Sequence, residues 1–303
     1  MHRKIIITGA TGLIGRELCR KLYEGGDEVT VFTRDIQKGK EILPYLNNFV
    51  EWDYNKPDLW KNELDGKDAT IHLAGANVLG KRWTKDYKRT IMRSRKLATK
   101  NLVDSIGITT NRPKIFISSS AVGYYRENGN EVINEESPSG ADFLAMVCRS
   151  WEYEAMQAEK LGIRRVTIRT GIVLSSKEGA LKKMLLPFRL FAGGSIGTGD
   201  QWFPWIHIED IVNAYLFALN NEISGVLNGT SPNPVTMREF AKTLGKVLHR
   251  PSFFTVPEFL LKLAVGEGAQ SILSSLRVIP QKLIENSFQF RYEYLEPALT
   301  SLL

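Results

Sequence analysis

Along the first 170 residues, apolar positions alternate between a two-residue rhythm and a helical one. Lys4 to Thr8 is a short apolar run of buried-strand type, and Leu13 to Glu24 spaces its apolar residues as one face of a helix. Glu28 to Thr33 predicts the next strand, with Val29 and Val31 on one face and Phe32 on the other. A weaker strand around Phe49 to Trp52 precedes a short helix opened by Pro57, a residue suited to a first helical turn. Strands at Ala69 to Leu73, Ile115 to Ser118 and Arg165 to Arg169 enclose helices at Thr84 to Ile106 and Asp142 to Leu161. Strands alternating with helices in this way predict an α/β fold with a mostly parallel sheet covered on both faces. Past Thr170 the rhythm loosens. Glycine and proline cluster at Gly193-Gly194, Gly197, Gly199, Pro204 and Pro232-Asn233-Pro234, with short helices at Glu209 to Asn220 and Thr236 to Leu248. The expected division is a nucleotide-type unit over residues 1–170, from which core strands can recur later, and a smaller substrate lobe over residues 171–303.

The loop after the first strand carries the strongest chemical signal. It reads Thr8-Gly9-Ala10-Thr11-Gly12-Leu13-Ile14-Gly15 and runs straight into a helix. In a dinucleotide-binding fold of Rossmann type, such glycines serve a tight turn (Gly9), close approach of pyrophosphate (Gly12) and helix-on-strand packing (Gly15). The helix start adds free N–H groups and the positive end of its dipole. At the end of the second strand, where an NAD-binding fold usually carries an acid for the ribose 2′-hydroxyl, stands Arg34. A guanidinium there forks onto a 2′-phosphate, so NADP(H) is the expected cofactor, with Lys38 and Lys40 as further cations and Asp35 as a local counter-argument. An Arg34 that is merely exposed is the alternative.

Composition narrows the class. The 303 residues, 34.2 kDa, are 43% hydrophobic and 24% charged, as in a chain that folds around a full core. Two cysteines, Cys19 and Cys148, cannot form a secreted disulfide framework. The N-terminus passes from Met1-His2-Arg3-Lys4 directly into a strand, with no signal-peptide pattern, and the apolar stretch from Phe253 to Val265 is interrupted by Pro257, Glu258 and Lys262. A cytoplasmic protein without membrane attachment is expected. The net charge of +7 invites a nucleic-acid reading, yet residues 81–100 hold nine basic residues and one acid, so the excess is local. Without a stacking platform or a nucleic-acid motif, a solvated helix face or an anionic small ligand explains it better. Four histidines without paired spacing predict no metal site, and His72 is expected to serve a loop hydrogen bond.

The glycine loop, together with His72-Leu73-Ala74-Gly75-Ala76-Asn77 and Ile117-Ser118-Ser119-Ser120-Ala121-Val122-Gly123-Tyr124-Tyr125, resembles the extended short-chain dehydrogenase/reductases of the NAD-dependent epimerase/dehydratase superfamily. Gly80-Lys81-Arg82-Trp83-Thr84, the stretch Gly193 to Asp210 and the segment Gly266 through Arg291 are similar to its atypical, epimerase-like members, which end in a small domain of unknown function, here about residues 250–300. The resemblance spans nearly the whole chain. It implies a Rossmann-type doubly wound parallel sheet with a smaller C-terminal substrate lobe, and NADP(H) contacts at Gly9, Thr11, Gly12, Leu13, Ile14, Gly15, Thr33, Arg34, Leu73, Ala74, Arg95, Ser118 and Val173.

It also implies a proton-transfer set of Ser or Thr with a Tyr and a Lys four residues later. Ser120 matches the hydroxyl. Aligned on Glu152, the Tyr and Lys positions hold Leu144 and Cys148, and no Tyr-x-x-x-Lys occurs in that helix. The substitute set expected here is Ser120 with Tyr124, with Tyr125 and His207 as further candidates beside the cleft. Asp210 is expected to cap the helix that follows it, and Cys148 to be a packed thiol. Two functions remain open: an NADP(H)-dependent epimerase or oxidoreductase acting on a small polar metabolite, for instance a sugar nucleotide, or a non-catalytic NADP(H)-binding or redox-sensing protein. The expected partner is the small-molecule substrate alone, and the sequence sets no oligomeric state.

Overall fold

A computed structural model describes residues 2–303. Strands β1 (Lys4–Thr8), β2 (Glu28–Thr33), β3 (Asn48–Glu51), β4 (Ala69–His72), β5 (Ile115–Ala121) and β6 (Arg164–Thr170) form a parallel sheet. Between them run helices α1 (Leu13–Glu24), α2 (Ile36–Ile42), α3 (Lys85–Gly107) and α4 (Phe143–Met156). Beyond β6 come β7 (Ile172–Leu174), α5 (Gly179–Arg189), β8 (Gly194–Ile196), β9 (Trp202–Phe203), β10 (Trp205–His207), α6 (Ile208–Asn220) and β11 (Gly225–Gly229). The chain closes with β12 (Val235–Thr236), α7 (Met237–Leu248), β13 (Phe254–Val256), α8 (Glu258–Val265), α9 (Gln270–Leu273), α10 (Gln281–Glu285) and α11 (Leu295–Leu302).

The main sheet has seven strands in the order β11-β6-β5-β4-β1-β2-β3, all pairs parallel. The strand β11 is a core strand beyond residue 170, of the kind expected to recur there, although its position was not read from the sequence. It pairs with β6 from Gly225↔Val166 to Gly229↔Thr170, so the sheet draws on residues from both sides of position 170. The winding reverses between β1 and β4, and a doubly wound sheet opens its ligand crevice at the carboxyl ends of those strands.

Alternation along β1 builds both cores. Ile5 and Ile7 face Leu18 and Leu22 of α1 and Ile211 and Tyr215 of α6, whereas Ile6 faces Leu102 and Ile106 of α3 and Ala155 of α4. A third core gathers Leu181, Phe188, Trp205, Phe240, Leu244 and Leu299 under the second half. Three small two-stranded ladders, β7 with β10, β9 with β12 and β8 with β13, fix the loops above the crevice. Thr84 and Asp142 stand just outside α3 and α4 as N-caps, accepting the N–H groups of Tyr87 and Ala145. The expected Asp142–Leu161 helix ends as α-helix at Met156 and finishes in a 3₁₀ turn. Among the described residues, no helix is long and apolar enough to cross a membrane.

Candidate functional site

The glycine loop joins β1 to α1, and each glycine has its own reason to be there. Gly9 has φ +71, a left-handed conformation, and a Cβ on it would lie 2.8 Å from the Ala74 nitrogen. A Cβ on Gly15 would stand 2.7 Å from Cα of Ala10 and closer still to the Gly9 carbonyl, so the start of α1 seats directly on the turn. Gly12 differs: it is exposed, a Cβ there would meet only the Gly9 carbonyl, at 3.3 Å, and as N-cap it offers no side chain. The first N–H groups of α1 therefore point past Gly12 without a capping acceptor, the arrangement in which a helix end takes a phosphate. Thr11, Leu13 and Ile14 are all partly exposed around this opening.

At the end of β2, Thr33 turns its hydroxyl onto the Asp35 backbone. The Asp35 carboxylate accepts the Lys38 N–H at 2.9 Å and caps α2. Arg34 is exposed and has no hydrogen-bond or ion-pair partner among the described residues. The acid beside Arg34 is thus used by the fold, and the cation is free. Lys38 and Lys40 lie on the exposed side of α2.

Across the crevice, the loop after β4 passes close to Gly9. The Ala74 N–H donates to Thr8 Oγ1 at 3.3 Å, while Leu73 and Val173 pack with Leu13 and Ile14 on the α1 side of the core. His72, expected to serve a loop hydrogen bond, instead bridges Thr8 of β1 and Thr99 of α3 inside the core, and burial lowers its pKa to about 3. Arg95, on α3, lies against Gly75 and over the Trp151 ring, and donates to the Ala76 carbonyl at 3.0 Å. Burial pulls its pKa down, and no carboxylate pairs with it among the described residues. Of the basic segment 81–100, Lys88, Arg89 and Lys100 pair with Glu267, Asp86 and Asp104, and Arg95 is the one in the wall of the crevice. The expectation for Ser118 is corrected. It is fully buried in β5 with its hydroxyl turned onto the Ser119 carbonyl, and offers a ligand no surface.

From Ile14 and Gly75 the crevice deepens into a cleft of about 520 Å³ between the sheet ends and the second half of the chain. Leu144 and Cys148, at the Tyr and Lys positions of the related reductases, both line it. Burial pushes the Cys148 thiol up to about 11, and its Sγ lies 3.7 Å from the Ala121 carbonyl, as befits a packed thiol.

The expected proton-transfer pair is not assembled in the cleft wall. Ser120 is buried and donates its hydroxyl to Glu152 at 2.6 Å. Glu152 in turn holds Arg169 by two contacts of 2.8 Å. Tyr124 is half-buried, absent from the cleft lining, and stacks its ring 3.4 Å from the Arg169 guanidinium. Tyr125 gives its hydroxyl to Asn228 and accepts from Arg169, and burial raises its pKa to about 12. His207 is likewise elsewhere: it caps α6 through the Glu209 N–H, lies within 3.2 Å of Ser301 and stacks on Tyr292. Asp210, expected as that cap, instead accepts the N–H groups of Arg291 and Tyr292. Among the described residues, no group of three His, Cys, Asp or Glu side chains can hold a metal ion.

Sequence reasoning missed Gln201 and the segment carrying Ser271, Ile272, Ser274 and Leu276, which complete the cleft from the second half. It also passed over Arg169, whose charge near the end of the buried strand β6 signals a buried partner.

Comparison with known proteins adds to this geometry. Residues 5–229 match the model of the NAD dependent epimerase/dehydratase family, and residues 256–302 match a domain of unknown function, DUF1731. The chain is 41% identical to the chloroplastic Epimerase family protein SDR39U1 homolog of Arabidopsis thaliana, covering 99% of this chain and 86% of that one. It is 39% identical to Epimerase family protein YfhF of Bacillus subtilis, covering 99% and 97%. Among solved structures, human epimerase family protein SDR39U1 (isoform 2) with NADPH superposes with a TM-score of 0.89 at 32% identity, covering 99% and 98%. The UDP-glucuronic acid 4-epimerase of Bacillus cereus, at 18% identity and a TM-score of 0.79, shares the fold.

Proposed function

The chain belongs to the NAD dependent epimerase/dehydratase family, and from that premise we propose that it binds NADP(H) and exchanges hydride with a small molecule held in the cleft. The observation that carries the choice of NADP(H) is at the end of β2: Asp35 is engaged as the cap of α2, and Arg34 stands free beside it. The residues suit the group. The uncapped start of α1 and the bare Gly12 accept a pyrophosphate, Arg34 a 2′-phosphate, and the unpaired Arg95 a further anionic or carbonyl group. The human relative solved with NADPH supports the same reading. When bound, the nicotinamide supplies the hydride chemistry. The chain orients it through Gly9, Gly12, Leu73, Ala74 and Val173, and shuts water out with aliphatic cleft walls.

One observation favours a second reading, a non-catalytic NADP(H)-binding or redox-sensing protein. Leu144 and a high-pKa Cys148 occupy the proton-transfer positions, so the cleft wall offers no ready acid or base. Loss of NADPH absorbance with a panel of aldehydes and ketones separates the two. Turnover that depends on the carbonyl supports the enzyme; tight NADPH binding with no consumption across the panel supports the sensor.

A further inference from the structure

We propose that the cleft takes a neutral, mainly apolar carbonyl or hydroxyl compound, and not the sugar nucleotide that the sequence resemblance suggests; this rests on the NADP(H) reading above. The cleft has two ends. Ile14, Gly75 and Arg95 belong to the glycine-loop end, where the dinucleotide lies in that reading. The far end is formed by Leu144 and Val147 of α4, Phe203 and Pro204 beside the β9 ladder, and Ile272 and Leu276 of the C-terminal segment. The polar side chains elsewhere in the lining, among them Asn77, Thr170, Gln201, Ser271 and Ser274, are all uncharged.

Charge decides between the two ligand classes. Arg95 is the single charged side chain of the described cleft wall, and it sits at the dinucleotide end. A nucleotide sugar brings a diphosphate, and two negative charges buried against aliphatic walls without a cation are strongly unfavourable. Arg277 does not supply one. It lies outside the lining, stacked 4.5 Å from the Trp202 ring, with one nitrogen on the Asn130 carbonyl and its Nε buried without a partner. Lys88, near Trp83 and Phe143, is paired with Glu267. An apolar ligand, by contrast, gains from every carbon placed against Leu144, Val147, Phe203 and Ile272. Polarity within that ligand also has a place to go. Gln201 donates its amide nitrogen to the Ile196 carbonyl and leaves its buried oxygen without a partner, an acceptor suited to one hydroxyl on the bound molecule.

The test titrates the NADPH-loaded protein with 2-alkanones from 2-butanone to 2-octanone and, separately, with UDP-glucose, reading tryptophan quenching. NADPH binding is recorded first from its own fluorescence. Affinity is expected to rise about fourfold per added methylene until the cleft is filled, with UDP-glucose at least tenfold weaker than 2-octanone. Ile272→Ala should flatten the last steps of the series, its NADPH affinity in the same sample reporting that it is folded. A flat series, a UDP-glucose affinity equal to or above that of 2-octanone, or an Ile272→Ala series identical to wild type overturns the proposal while NADPH still binds. Failure of NADPH itself to bind overturns the functional reading and this inference together.

Discussion

The hydroxyl of Ser120 donates to Oε1 of Glu152 at 2.6 Å, and the same carboxylate grips Arg169 through two nitrogens. Arg169 and Glu152 are nearly enclosed, with side-chain exposures of 4% and 12%. Burial alone works against the Arg169 charge, but the hydrogen bonds and charge of Glu152 more than offset it and raise its pKa. Tyr124 and Tyr125 close the cation from the other side. The loop over β5 is therefore braced through its polar side chains, and those side chains are spent on holding it.

Removing one partner from such a pair leaves a buried charge unmatched. Glu152→Gln should cost about 3–5 kcal/mol of stability, and Ser120→Ala about 1–2 kcal/mol, both measured by urea unfolding. Tyr124→Phe should leave turnover and NADPH affinity within about twofold, since acid–base help would be worth at least about 10²-fold. A Ser120→Ala protein of unchanged stability and abolished turnover would restore Ser120 as a catalytic hydroxyl.

Gly12 and Gly15, three residues apart, should fail in opposite ways. A side chain at Gly12 meets open space except for the Gly9 carbonyl, so Gly12→Val should fold, with a melting temperature near wild type, yet lose NADPH affinity by about a hundredfold or more. Gly15→Val drives its side chain into Gly9 and Ala10 and should lower stability by about 1–3 kcal/mol or more. Thermal melts paired with NADPH titrations distinguish them. Equal NADPH binding by Gly12→Val and wild type would remove the loop from the cofactor site.

Acid should weaken the fold through two histidines. Burial lowers the pKa of His72 to about 3 and of His207 to about 4, below the ordinary histidine value of 6.5. Between pH 6.5 and those values the unfolded chain binds protons that the native state refuses, so stability is complete above pH 6.5 and falls as pH drops. Each histidine contributes up to about 1.4 kcal/mol per pH unit in that window. Glu135, Glu154 and Asp210, whose pKa values burial raises, act with the opposite sign, so the histidine share is read from the difference between variant and wild type. His207→Asn keeps a capping side chain without titrating and should lose less stability than wild type between pH 6.5 and 5. Denaturation curves at pH 7, 6 and 5 that do not shift for wild type would contradict the assignment.

The sheet and its helices were legible where one period dominates, as in Ile5-Ile6-Ile7 and in Leu13–Glu24, whose bounds match α1. The helix α2 escaped because it is seven residues long and contains Gly39, and β11 because glycines bound it and Asn228 sits within it. The glycine loop could be read because Gly9 and Gly15 answer a local steric demand and Gly12 leaves the start of the helix bare. Ser118, Tyr124, His207 and Asp210 could not. Which face of β5 a serine takes, and whether an acid caps its own helix, were decided by distant partners: Asp210 is held by backbone 81 and 82 residues away. Arg34 was legible as a cation, but only the fold shows that Asp35 leaves it free.

Calorimetric titration of wild type and Arg34→Asp with NADPH and with NADH reads the contact between Arg34 and the 2′-phosphate. A charge-assisted contact to the 2′-phosphate is worth about 1.5–3 kcal/mol, so wild type should bind NADPH about ten- to a hundredfold more tightly than NADH. In Arg34→Asp that preference should vanish or invert. Equal affinities in wild type, or an Arg34→Asp protein that keeps the full preference for NADPH, would exclude Arg34 as the partner of a 2′-phosphate.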